Sequence, residues 1–70
     1  MRRDLFRRVQ NDLGVILGGN GFNLQVVGDD EMSLNVPDGS IPGVPEITIE
    51  SAPAATLVSD CQRMLAEAVL

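Results

Sequence analysis

The chain has no histidine, no lysine, no tryptophan and no tyrosine, and a single cysteine, Cys61. Without histidine or lysine the commonest general bases are missing, and neither a serine nor Cys61 has an activating partner. One cysteine rules out an internal disulfide, and with no histidine beside it a soft-metal site has too few ligands. The aromatics are Phe6 and Phe22 alone, so the core must be aliphatic. No apolar run approaches the roughly 18 residues needed to cross a bilayer. The opening MRRDLFRRV carries the charge of a signal-peptide n-region, but Gln10, Asn11 and Asp12 interrupt it where an apolar segment would follow. The expectation is a cytoplasmic chain, complete from Met1, with no membrane contact and no cofactor.

What is present is a folded composition, 44% hydrophobic and 21% charged over 70 residues. A single domain of this length, residues 1–70, buries roughly 60% of its unfolded surface. Its core rarely supplies more than about 3–5 kcal/mol. With disulfide and metal closed or weak as supplements, self-association as a homodimer or binding to a partner is the expected one. Charge is divided unevenly. Residues 1–8 balance at +3 through Arg2, Arg3, Arg7 and Arg8, and the remainder at −8 for a net −5. That acidity disfavours nucleic acid as the main partner and suits a protein with a basic surface. Arginine without lysine is the usage of a GC-rich bacterial or phage genome.

Two stretches have helical period. Leu5, Phe6, Val9, Leu13, Ile16 and Leu17 share one face of residues 3–17, and Gly18-Gly19-Asn20-Gly21 ends that helix. From Pro53 to Leu70, the residues Leu57, Val58, Cys61, Met64, Leu65, Ala68 and Val69 form one apolar stripe. Ser51 is the expected N-cap, with Pro53 in the first turn. Between the helices the period is two: Phe22, Leu24 and Val26, then Met32, Leu34 and Val36, then Ile47 and Ile49. For the first two runs to share a face, cross-strand partners must have an even residue sum. Pairing Val27 with Glu31 around a three-residue loop satisfies this.

The order helix, strand, strand, strand, helix predicts an α+β two-layer sandwich, a three-stranded antiparallel meander covered on one face by two helices. Asn23, Gln25, Ser33, Asn35, Glu46, Thr48 and Glu50 fall on the opposite, polar face. An edge strand is left open, and dimerisation by edge pairing would protect it.

Few residues are candidates for chemistry. Cys61 falls mid-stripe and reads as a small core residue, not a reactive thiol. Asp29-Asp30-Glu31 lacks the spacing of a calcium loop and reads as a solvated hairpin tip. Gly18 to Gly21 follows a helix and precedes a strand, the reverse of a phosphate loop. No catalytic residue and no metal ligand is assigned.

For binding the candidates are the acids Asp29, Asp30, Glu31, Glu46 and Glu50, with Ile41 and Val44 in the proline-rich loop 37–45. That loop either presents its two apolar residues to a partner or folds back over the core. Arg3 and Arg7, four apart on the first helix, are secondary contact candidates.

Small size, acidity and missing catalytic side chains together predict a non-enzymatic protein-binding protein, an inhibitor or adaptor. In this general character the chain resembles phage-encoded inhibitors of host defence, including anti-CRISPR proteins, a class that shares no motif. The alternative is an oligomeric chaperone or assembly component. Type III secretion chaperones are similar in being small, acidic and built of helices on a meander, though longer. Small phage head–tail joining proteins are similar in their helix–hairpin–helix order.

Overall fold

The structure is a computed structural model that describes residues 1–68. Helix α1 runs Arg3–Ile16, strands β1, β2 and β3 run Asn23–Gly28, Glu31–Val36 and Ile47–Pro53, and helix α2 runs Ala54–Ala68. The strands form one antiparallel sheet in the order β1-β2-β3. The fold is thus the α-β-β-β-α sandwich that the two periodicities predict. Val69, the last member of the expected stripe on α2, lies outside the described residues.

The end of α1 follows from its glycines. Gly18 takes φ +64° and Gly19 φ +81°, a region that a side chain would disfavour. Gly18 N–H donates to the Val15 carbonyl and Gly19 N–H to the Gly14 carbonyl, both at 3.1 Å. This reciprocal pair is a Schellman cap. It turns the chain into β1 and leaves Leu17 buried.

The β1–β2 register has the expected even sum. Asn23 faces Asn35, Leu24 faces Leu34, Gln25 faces Ser33 and Val26 faces Met32. Beyond Val26 the expectation fails. Gly28, not Val27, faces Glu31, so Val27 is an extra residue and the turn shortens to Asp29-Asp30. Asp30 holds φ +53°, which its short polar side chain tolerates.

The start of α2 also departs from expectation. Ser51 does not cap it. The β3 strand continues to Pro53, because Ala52 pairs with Met32 and Pro53 with Glu31 after an irregularity opposite Ser33. Ser51 instead donates its hydroxyl to Glu31 Oε2 at 3.0 Å. The first helical amide, Ala54 N–H, donates to the Asp30 carbonyl at 2.7 Å, so the hairpin tip caps the helix from across the sheet.

Residues Pro37 to Val44 make two turns closed by Ser40 N–H to the Pro37 carbonyl and Val44 N–H to the Ile41 carbonyl, each at 3.0 Å. Gly39 and Gly43 sit at the third position of these turns with φ +83° and +81°, the glycine-requiring position of a type II turn. The loop folds back: Val44 joins the core and Ile41 packs half-buried against it.

That core contains Val9, Leu13 and Leu17, Met32, Leu34 and Val36, Val44 and Ile47, and Ala52, Ala54, Leu57 and Cys61, with no polar side chain among the buried residues described. Helix α2 lies over β2 and β3, and α1 packs against α2. Strand β1 is left at the margin of this cover. Val26 shares the inner face with Met32, yet it is 46% exposed where Met32 is 0%.

Candidate functional site

Alternation along each strand sends one set of side chains into the core and the other out. The outer set is Asn23 and Gln25 from β1, Glu31, Ser33 and Asn35 from β2, and Thr48 and Glu50 from β3, with Glu46 just before it. Of these, Asn23, Gln25, Ser33, Asn35, Thr48 and Glu50 border, with Val27, an open depression of about 480 Å³. One cluster on this face is ordered by hydrogen bonds. Asn35 Nδ2 donates to Glu46 Oε2 at 2.8 Å and to Thr48 Oγ1 at 3.1 Å.

All five acidic candidates are exposed and belong to the sheet layer. Asp29 and Asp30 form the hairpin tip, and Glu31 sits beside them, held by Ser51. Glu46 and Glu50 are four residues apart on the outer face, roughly 13 Å along an extended strand. The salt bridges among the described residues all lie on helices or at their ends: Arg2 with Asp4 at 3.6 Å, and Arg63 with Asp60 at 3.3 Å and Glu67 at 3.9 Å. Among the described residues, then, no cation pairs with the sheet carboxylates. These acids form no convergent cluster able to hold a metal ion among the described residues.

The remaining candidates separate from this face. Val44 is 8% exposed and is withdrawn from any surface, because its turn is folded over the open end of the core. Ile41, half-buried beside it, offers only part of its side chain. Arg3 and Arg7 are exposed on α1, in the helical layer. The N-cap of α1, Arg2, makes no side-chain cap, so arginines crowd a helix end that already carries partial positive charge. Cys61 is fully buried, and burial pushes its thiol above the ordinary value of 9.0. A neutral thiol closed off from solvent is a poor nucleophile.

Alternation places Val26 in the core and the expected register pairs Val27 with Glu31, whereas Val27 is an unpaired extra residue and both are surface residues, Val27 being 51% exposed. The available signal was the absence of any charged residue from Leu13 to Gly28. No protein-family model, curated protein or solved structure matches this chain.

Proposed function

We propose that this chain is a non-enzymatic protein-binding protein, a small acidic inhibitor or adaptor that engages a basic surface on its target through the hairpin tip and the outer sheet face. One observation carries the reading: Asp29, Asp30, Glu31, Glu46 and Glu50 are exposed on the sheet layer, and no cation among the described residues pairs with them. Carboxylates left in this state raise the rate of encounter with a basic partner and disfavour acidic ones. The backbone beneath them is firm, since the tip is tied to α2 through the Asp30 carbonyl and to β3 through Glu31. Little entropy is then lost on binding.

The residue inventory supports binding over catalysis. A reaction would have to use carboxylates spread along an open face, with no histidine or lysine in the chain. The free Cys61 suits a reducing compartment such as the cytoplasm.

The test is affinity capture from a lysate of the native host with the wild-type chain and with Asp29→Lys, Glu31→Lys and Asp30→Lys combined. The reading expects a stoichiometric partner with a basic surface on the wild type and its loss on the triple variant. Equal capture by both would overturn it. A second reading, an assembly component acting through self-association, is favoured by one separate feature, the open edge of β1.

A further inference from the structure

The sheet has two edges, and they are unlike. The β3 edge is interrupted by the irregularity at Glu50-Ser51, carries Glu46 and Glu50 at or beside it, and is bracketed by Pro45 and Pro53. Bulges, charges and prolines are the devices that keep an edge from pairing with another chain. The β1 edge has none of these from Phe22 to Val26. Its ladder with β2 is regular from Asn23 to Val26, and Val26 is 46% exposed on the core-side face, at the margin of the helices' cover.

We propose that β1 is a homodimer interface, in which two copies pair antiparallel about a two-fold axis at Leu24 and join their sheets into one of six strands. The occupant is a second copy because of charge. The chain carries net −5, so two copies repel over most of their surface, but residues 13–28 contain no charge. They are the longest part of the chain through which two like-charged molecules can meet without opposing acids.

The register follows from the pleat. An even residue sum is required for the two apolar faces to lie on the same side. A sum of 48 avoids the irregular Val27 and matches every side chain to a suitable partner. Leu24 faces the Leu24 of the second copy, and Phe22 faces Val26 in both directions, an aromatic with a β-branched residue. On the outer face Asn23 meets Gln25, amide to amide. Both edges of β1 are then satisfied, and Val26 is covered.

This surface is separate from the acidic tip, and light scattering distinguishes the two. The wild type is expected at twice the 7.5 kDa chain mass. Asn23→Lys combined with Gln25→Lys sets ammonium groups opposite each other in both outer pairs, and is expected to run at the single-chain mass with an unchanged circular dichroism spectrum. The acidic-tip triple variant is expected to stay dimeric. A monomeric wild type at submillimolar concentration, or a double variant that remains dimeric, overturns the proposal.

The register has its own test under oxidising conditions. Leu24→Cys places two cysteines directly opposite, with Cα atoms about 4.5–5.5 Å apart, inside the roughly 4.4–6.8 Å that a disulfide spans. It is expected to form a covalent dimer, whereas Gln25→Cys is not. The reverse pattern would refute pairing about Leu24.

Discussion

The two faces of the sheet are made by the same three strands and share nothing else. On the inner face Met32, Leu34 and Val36 are at most 1% exposed, and Ile47 and Ala52 join them under α2. On the outer face the alternate residues Ser33, Asn35, Thr48 and Glu50 border an open depression. Each face therefore constrains its residues differently. Inner residues answer to packing density, so their substitution moves stability. Outer residues are constrained little by the fold, so the acids among them are free to serve a partner.

The sharpest contrast comes from the inner face. Leu57, fully buried on α2, is expected to lose about 2–5 kcal/mol on substitution by alanine. That rivals the stability of the whole domain, and a thermal or urea melt will show Leu57→Ala largely unfolded. Leu65, on the same stripe but only half-buried, has less area to lose. Leu65→Ala is expected to cost about 1 kcal/mol and to remain folded. An equal loss at both positions would contradict the placement of α2.

A second inner-face prediction concerns alkaline pH. The buried thiol of Cys61 has its pKa raised by desolvation. Below the unfolded value of 9.0 both states hold the proton, and the contribution is fully present. Above it the unfolded chain releases the proton first, so stability falls as pH rises through the raised folded value. No lysine or tyrosine titrates in that range to obscure the effect. Urea melts of wild type should weaken on the alkaline side, whereas Cys61→Ala should start lower and show a flatter dependence. A wild-type curve as flat as that of the variant would place the thiol in solvent.

The outer face should do the opposite. Converting Asp29, Asp30 and Glu31 together to lysine is expected to cost about 1–2 kcal/mol at most, nearly all of it at Asp30, whose left-handed backbone a lysine tolerates less well than aspartate. The loss of the Ser51–Glu31 contact is small because that hydrogen bond is exposed. A melting temperature that drops as far as for Leu57→Ala would mean that the tip holds the fold together and is not free for a partner.

Much of this division was legible in the sequence, because alternation and helical period both report which side chains are buried. Leu34 and Asn35 differ by one position and point to opposite faces, as their polarity implies. The Schellman end of α1 was equally plain, since Gly18 and Gly19 sit where positive φ is needed. What escaped was set by contacts between distant segments. Ser51 has the chemistry of an N-cap, but the continued pairing of Ala52 with Met32 kept it in the strand, and the Asp30 carbonyl took over the first helical amide. Val26 has the alternation of a core residue, yet two helices cover β2 and β3 more fully than β1, and periodicity carries no information about how wide the cover is. Val44 had two readings in the sequence, and the turn at Pro42-Gly43 decided for the core by aiming it inward.

The outer face and tip are proposed to meet the partner, while the inner face holds the fold. The most direct measurement is an amide-shift titration of the ¹⁵N-labelled chain with the protein captured by the wild type. The largest shifts are expected at Asp29, Asp30, Glu31, Ser33, Asn35, Thr48 and Glu50, weakening as salt is raised. Shifts concentrated instead on Arg3, Arg7 and the rest of α1, with the outer face unmoved, would contradict it.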